Sequence, residues 1–223
     1  MFDKIRRKAT RAVKRAVGDK VEDEAEKQVK KTISKHEDEV KKHTFRGMVS
    51  DEKTIKGEMI TDFDKFKSNW EKDAKDPAQS VFYLLMAAYN YCSKDKKIGE
   101  AMATVVLSKK HNNDAPGSLS GLKFGKTNKY LFDQMLEDEN IAKSYLGADY
   151  EEEYKFNENK LKMQFMGVVP ETDKNVKAII QSSGKDFPTP VTLAKNKHGQ
   201  WKVTEFSSIA TGCKTIASIE EDF

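Results

Sequence analysis

Residues 2–17 carry hydrophobic and polar side chains in the order expected of a helix with two different faces. At 100° per residue, the apolar side chains fall within about 140° of arc, and basic side chains occupy most of the remaining circumference. The apolar face consists of Phe2, Ile5, Ala9, Ala12, Val13, Ala16 and Val17. The basic face consists of Lys4, Arg6, Arg7, Lys8, Arg11, Lys14 and Arg15. This pattern predicts a basic amphipathic helix, which we call the arm, with a modest apolar stripe.

The next segment, residues 19–43, predicts a second helix of a different kind. Its apolar residues recur at every fourth position, at Val21, Ala25, Val29 and Ile33. Because a helix has 3.6 residues per turn, this apolar stripe drifts around the helix axis. Seven acidic residues and six lysines lie between positions 21 and 44, and many of them are four residues apart. We therefore expect a charged, exposed connecting helix that completes an N-terminal region over residues 1–44.

Apolar residues after this region predict the helices of a folded domain. A short strand pair or an irregular connection is expected over residues 44–61. A helix follows in which Phe63, Phe66 and Trp70 share one face. The next helix, residues 77–92, begins with an aspartate–proline pair typical of a helix N-terminus. Since this helix is apolar nearly all round, it should lie at the centre of the core.

The rest of the domain adds further helices and then strands. Additional helices are expected over residues 95–107 and 127–138, and strands are expected over Leu161–Phe165, Val176–Gln181, Val191–Lys195 and Gln200–Phe206. Residues 109–126 predict a long polar loop. Helices first and strands afterwards favour an α+β fold, with a helical block packed on a C-terminal antiparallel sheet that buries Trp201. We expect this domain over residues 45–215 and an acidic tail over residues 216–223.

The charge of the chain is concentrated at its N-terminus. Residues 1–20 hold eight basic and two acidic residues, a net charge of +6, whereas the remaining 203 residues sum to −2 because the whole chain carries +4. Attraction to polyanions or anionic lipid should therefore belong to the arm. The two cysteines lie far apart, and no apolar signal-peptide core follows the basic residues. These features favour a cytoplasmic protein, either free or peripheral at the inner face of the membrane.

One stretch of sequence resembles a known family. The sequence FPTPVTLAKNKHGQWKVTEFSS, from Phe187 to Ser208, is similar to the closing strands of an uncharacterised bacterial domain family. The shared features are a proline before the first strand, a Gly-x-Trp-Lys start to the second strand and a Ser-Ser exit. The segment Ser144–Ala148 and the helical block 77–107 are similar in order and spacing. The resemblance covers about residues 60–212, implies an α+β domain and brings no assigned activity.

The same hairpin also resembles the final strands of nuclear-transport-factor-2-like folds. Those folds often enclose a ligand pocket, so the resemblance implies a ligand-pocket domain as an alternative, including an enzymatic one. Six tyrosines could line such a pocket: Tyr83, Tyr89, Tyr91, Tyr145, Tyr150 and Tyr154. We favour core packing with the hydroxyl groups reaching the domain boundary, because buried tyrosines commonly pair their hydroxyls there.

The segment Ser120–Thr127, SGLKFGKT, is one residue away from a phosphate-binding loop. Gly125, Lys126 and Thr127 fit the motif, but Ser120 stands where the first glycine belongs. The preceding polar residues are not typical of the buried strand that delivers such a loop. A helix-capping loop is the better interpretation.

The remaining candidate groups predict no catalytic residue, cofactor or metal site. The pair His36-Glu37 begins a zinc-protease motif, but Val40 occupies the position of the second histidine. Cys92 ends an apolar helix and is expected to be a core or boundary thiol. The carboxylates of Asp149–Glu153 and Glu220–Asp222 are more typical of a charged surface and a tail than of an acid–base pair.

These patterns favour a non-enzymatic binding or scaffold protein that engages a protein partner. The arm would mediate self-association or attachment to an anionic membrane surface. Nucleic-acid binding through the arm is a third hypothesis and the least favoured, because the arm carries no aromatic stacking residue beyond Phe2.

The arm can be tested with vesicles. We expect the full-length protein to sediment with anionic vesicles at low salt and to be released as the ionic strength rises, because basic residues are attracted to anionic lipid. Val13→Asp should weaken this binding although it retains every positive charge, because it disrupts the apolar stripe. If the arm binds another copy of the chain, Val13→Asp will instead reduce the oligomer mass measured by light scattering. Unfolding of a protein that lacks residues 1–17 would contradict the division into arm and domain.

Overall fold

The computed structural model describes Phe45 and residues 47–216 of the chain. The arm, the connecting helix and the acidic residues of the tail lie outside the described residues.

The described residues form an α+β domain, as predicted. The α-helices are α1 Phe63–Asp73, α2 Pro77–Ser93, α3 Lys96–Val106, α4 Lys126–Glu137 and α5 Asn140–Tyr145. The strands are β1 Val49–Gly57, β2 Asn112–Asp114, β3 Leu122–Phe124, β4 Leu161–Thr172, β5 Asn175–Gln181, β6 Thr189–Lys195 and β7 Trp201–Glu205. One turn of 3₁₀-helix, Lys109–His111, precedes β2.

Five strands form the main sheet in the order β1-β4-β5-β6-β7, and every neighbouring pair is antiparallel. The backbone of β7 is covered at its outer edge, where the Trp201 amide donates to the Ala74 carbonyl at 2.7 Å and the Ser108 amide donates to the Val203 carbonyl at 2.8 Å. The opposite edge is β1, which is mostly exposed and carries a bulge after Ser50. A charged, bulged strand is a common way to protect a free sheet edge.

Alternation along the strands places one face of the sheet against the helices. In β4, Leu161, Met163 and Phe165 are buried, whereas Lys162 and Gln164 between them are exposed. This period of two is that of a sheet with one buried and one open face. Trp201 lies on the buried face with 7% of its surface exposed, which confirms the expectation for this residue.

Helix α2 lies at the centre of the core, as its composition predicts. Asp76 caps the helix by accepting the Ala78 amide at 2.8 Å, and Pro77 occupies its first position. Thirteen of the 17 residues of α2 are buried. The neighbouring α1 presents Phe66 and Trp70 to the same core, also as predicted.

The polar side chains of α2 connect it to its surroundings. The buried Ser80 hydroxyl donates to the Trp201 carbonyl at 2.7 Å, which ties the helix to β7. The Asn90 amide donates to the Ile60 carbonyl at 3.0 Å and to the Met86 carbonyl at 2.9 Å. The Ser80–Trp201 and Asn90–Ile60 bonds therefore connect α2 to β7 and to the segment before α1, whereas the Asn90–Met86 bond lies within the helix.

Helices α2 and α3 approach most closely at Gly99 of α3. A side-chain Cβ placed on Gly99 would lie 2.3 Å from the Tyr91 backbone nitrogen. Real carbon and nitrogen atoms that are not bonded do not come so near, so only glycine fits this crossing.

Two local expectations are wrong in detail, and one helix was not expected. Within residues 47–61 there is a single long strand, β1, whose partner is β4 rather than a neighbouring segment. The polar stretch 109–126 is not a structureless loop, because it folds into the 3₁₀ turn and the antiparallel pair of β2 and β3. Helix α5 is an additional element of six residues, too short to give a helical period in the sequence.

The close crossing at Gly99 gives a stability prediction. In an exposed helix, Gly→Ala stabilises by roughly 1 kcal/mol. We expect Gly99→Ala instead to destabilise the domain by about 1–3 kcal/mol, because the new methyl group forces the two helices apart. The control is Gly117→Ala, since Gly117 has no atom within 4 Å of its would-be Cβ. Thermal unfolding of both variants measures the effect, and a raised melting temperature for Gly99→Ala would contradict the account.

Candidate functional site

A groove opens on the described surface between two segments, the loop Gly184–Phe187 and the segment Thr211–Lys214. Its volume is about 390 Å³, and all of its lining residues come from these two segments. The first segment joins β5 to β6, and the second follows β7. The groove is therefore built where the sheet ends, and we call it the terminal groove.

Lys185 holds the two sides of the terminal groove together. Its ammonium group donates to the Ser208 carbonyl at 2.6 Å, to the Ile209 carbonyl at 3.3 Å and to the Thr211 hydroxyl at 2.7 Å. A lysine ammonium has three donors, so all of them are used. The Lys214 amide adds a backbone bond to the Gly184 carbonyl at 2.9 Å.

Close packing below the groove requires glycine at position 184. A Cβ on Gly184 would lie 2.7 Å from the Tyr154 hydroxyl oxygen and 2.8 Å from the Cys213 Cβ. The Gly184 amide donates to the Ser182 hydroxyl at 3.0 Å, and that hydroxyl donates to the Ser144 hydroxyl at 2.7 Å. The loop is thus fixed to α5 by a buried hydroxyl chain.

The Cys213 thiol lines this groove and is hydrogen-bonded within the protein. It donates to the Asp138 carboxylate at 3.3 Å. Burial raises the pKa of the Cys213 thiol to about 11, and the neighbouring Asp138 carboxylate adds to the increase. Because the thiolate is the nucleophile, a thiol that stays protonated at neutral pH is poorly suited to covalent catalysis.

The rim of the groove carries charged groups and one exposed aromatic side chain, Phe187. The Lys214 ammonium pairs with the Asp186 carboxylate at 2.6 Å and lies 4.7 Å from the centre of the Tyr150 ring. Phe187 is 61% exposed, which is unusual for a large aromatic side chain. The groove therefore presents two ammonium groups, one carboxylate and an exposed ring.

Five of the six tyrosines have the predicted role of core residues whose hydroxyls reach partners. Three of them, all on α2, donate to carboxylates of other segments at 2.7 Å; the pairs are Tyr83–Asp73, Tyr89–Glu158 and Tyr91–Asp133. The other two pairs are Tyr145 with the Thr189 hydroxyl and Tyr154 with the Lys214 carbonyl. Burial raises the pKa of all five phenols, so they remain neutral donors. Tyr150 is largely outside the core and bonds to Glu151.

The segment that resembles a phosphate-binding loop serves the packing of α4. The Gly125 amide donates to the His111 carbonyl at 3.0 Å, and a Cβ on Gly125 would lie 2.5 Å from that oxygen. The Phe124 amide donates to the Glu100 carboxylate at 2.7 Å. These two amides are therefore occupied within the protein. The short strand β3 does precede the glycine, contrary to the expectation of a plain polar loop.

The other candidates lie apart from the terminal groove. Cys92 is half-buried, as expected of a boundary thiol, and burial raises its pKa to about 12. No group of three or more histidine, cysteine, aspartate and glutamate side chains suited to a metal ion occurs within residues 47–216. In the same part of the chain, no helix has the length and apolar character needed to cross a membrane. The arm faces and His36 lie outside the described residues.

The sequence does not reveal the terminal groove. Its residues, Gly184–Phe187 and Thr211–Lys214, are short polar loops with no motif spacing. The only local signal is Phe187, a large apolar residue between charged and proline residues. Because a phenylalanine between a charged residue and a proline can be either buried or exposed, only the structure shows that Phe187 is exposed.

The state of the Cys213 thiol can be measured. In a Cys92→Ser background, we expect the rate of alkylation by iodoacetamide to rise about tenfold per pH unit from pH 7 to about pH 10, because the thiolate fraction rises until the pH passes the pKa. Asp138→Asn should increase the rate at pH 8, because it removes a negative charge that raises the pKa of Cys213. A rate that levels off below pH 9 would contradict the assigned environment.

Comparison with known proteins places the folded part in a family. A family model described as a domain of unknown function, DUF6935, matches residues 59–217. No curated protein and no solved structure matches the chain. The likeness to nuclear-transport-factor-2-like folds stays a prediction, whereas the predicted likeness to an uncharacterised domain family over about residues 60–212 is confirmed. With most of its length matched, the chain belongs to the DUF6935 family.

Proposed function

We propose that the domain is a non-enzymatic binding module that engages a protein partner through the terminal groove. The observation that carries this proposal is the exposure of Phe187, 61%, on the rim of a groove of about 390 Å³. Aromatic side chains supply much of the binding energy at protein interfaces when a partner covers them. An exposed ring beside a preformed groove supports such a role.

The side chains of the groove support binding better than catalysis. Cys213 is protonated at neutral pH, as its raised pKa of about 11 requires. The Lys185 ammonium is engaged by three oxygen atoms of the protein, and Asp186 is paired with Lys214. A nucleophile or general base has to be free to exchange protons near neutral pH. These groups instead fix the shape and the charge of the groove.

The same bonds make the groove a preformed surface. Lys185 links the loop to the segment after β7, and the Ser182–Ser144 hydroxyl pair links the loop to α5. A surface that is ordered before binding loses less conformational entropy when the partner arrives. Preorganisation of this kind favours recognition of a short partner segment.

We further propose that the arm mediates assembly or attaches the protein to an anionic membrane surface from the cytoplasm. The support is its charge of +6 on a helical pattern with a thin apolar stripe. A stripe with several alanines buries little apolar surface, so attachment would depend on charge as well as on insertion.

Peptide selection tests the groove directly, because a random library itself supplies candidate partner segments. The library is selected on the full-length protein, and the enriched peptides are mapped by chemical-shift perturbation. We expect the shifts at Gly184–Phe187 and Thr211–Lys214, and Phe187→Ala should weaken binding at least tenfold. Tyr130→Ala is the matched control, because Tyr130 on α4 is 62% exposed and should change affinity less than twofold. Shifts elsewhere, or equal effects of both substitutions, would refute the proposed site.

A further inference from the structure

Lys185 carries a positive charge that no acidic side chain of the described protein balances. The residue is half-buried, and its three bonded oxygens belong to two carbonyls and one hydroxyl, all neutral. Other partly buried lysines have carboxylate partners: Lys53 pairs with Asp76, Lys143 with Glu139 and Lys177 with Glu171. Lys202 also lacks a carboxylate contact, and each of the two ammonium groups lies over an aromatic ring, Lys202 over Trp70 at 4.0 Å and Lys185 over Tyr145 at 5.9 Å. Lys202 differs in position, because it donates to the Val105 carbonyl and does not line the groove.

Neutral oxygens stabilise an ammonium group without cancelling its charge. Burial therefore lowers the pKa of Lys185, since the charged form loses part of its hydration. An anionic group placed beside Lys185 would restore the lost stabilisation through a direct charge–charge attraction. The Lys185 ammonium group thus lacks a contact with a negatively charged group.

The carboxylates near the groove do not supply that anion. Asp186 is 2.6 Å from the Lys214 ammonium and is already neutralised by it. Asp138 keeps its charge, because it accepts only from the neutral Asn140 amide at 3.0 Å and the Cys213 thiol at 3.3 Å, but it makes no hydrogen bond or ion pair with the Lys185 ammonium. Among the lining residues, Lys185, Lys214 and Asp186 carry the formal charges, so the groove keeps a net positive charge of one.

The exposed Phe187 adds a second requirement. It follows Asp186 directly, so an apolar contact surface adjoins the positively charged groove. A ligand that satisfies both features carries a carboxylate and, within a few residues, a large apolar side chain. The groove offers ammonium groups and no arginine, and the bidentate fork that favours phosphate recognition is thus missing from its lining.

We propose that the terminal groove recognises an acidic peptide segment of a partner protein, with a glutamate or aspartate of the partner balancing Lys185 and a neighbouring aromatic or large aliphatic residue covering Phe187. This inference rests on the proposed function, because it assigns chemistry to the same groove. It specifies which peptides the groove prefers, whereas the proposed function requires only that peptides bind there.

A matched pair of labelled peptides tests the charge preference on the full-length protein. The probes are fluorescein-labelled Gly-Glu-Glu-Phe-Glu-Gly and its isosteric neutral counterpart Gly-Gln-Gln-Phe-Gln-Gly. We expect the acidic peptide to bind at least tenfold more tightly at low salt, with the difference shrinking as sodium chloride is added. Equal affinities for the two peptides would overturn the proposal.

Lysine substitutions locate the effect. Lys185→Met should lower the affinity for the acidic peptide at least tenfold. Lys197→Met is the charge-matched control, because Lys197 follows the far end of β6 and is exposed, and it should change the affinity less than twofold. Equal losses from both substitutions would show general charge attraction and would overturn the assignment to the groove.

Lys185→Met also removes the hydrogen bonds that hold the loop Gly184–Phe187, so a second variant tests the charge preference without removing them. Asp186 is exposed and makes its ion pair at the rim, so Asp186→Asn should leave the fold intact while raising the positive charge of the groove. We expect this variant to bind the acidic peptide at least threefold more tightly, with the gain shrinking as sodium chloride is added. Unchanged or weaker binding of the acidic peptide would overturn the proposal.

The library selection separates failure of this inference from failure of the proposed function. Enriched peptides that map to the terminal groove without an excess of acidic residues would leave the groove as a binding site and overturn the acidic preference. Enriched peptides that map elsewhere would overturn both. An excess of acidic residues next to an aromatic or aliphatic residue, mapped to the groove, is the expected result.

Discussion

The burial of helix α2 on all sides is the constraint on which the rest of the domain depends. A buried helix brings its polar side chains into the core, where each of them needs a hydrogen-bond partner. The hydroxyls of Tyr83, Tyr89 and Tyr91 reach carboxylates on three other segments, and the Ser80 hydroxyl reaches β7. These four bonds connect α2 to α1, to α4, to β7 and to the loop before β4.

The terminal groove is formed where this central packing gives way to loops. Polar bonds join its two sides, above all those of Lys185 with the chain after β7, and close packing at Gly184 supports it from below. A lysine in that role stiffens the groove and at the same time leaves it positively charged. In the function that we propose, the same lysine would both order the groove and attract the partner, and the neighbouring exposed Phe187 would supply an apolar contact.

The sequence predicts those elements of the fold that depend on residues close together in the chain. The apolar run of α2 and its cap at Asp76 are short-range signals, and both are observed. The partner of β1 could not be predicted, because Thr54 meets Gln164 at a separation of 110 residues. The groove was missed for the same reason, since Gly184 and Cys213 meet only after the sheet has formed. The sequence around a glycine or a polar loop residue does not indicate which distant residues it will contact.

Because α2 is buried at the centre of the core, it should be the most stable element of the domain, and the terminal groove at the surface should be less stable. Native-state hydrogen exchange measures both, because it gives an opening free energy for each amide. We expect amides in the middle of α2 to exchange only through global unfolding, and those of Thr211–Lys214 to exchange through smaller openings. Exchange of the α2 amides at a free energy clearly below that of global unfolding would contradict the central role of α2.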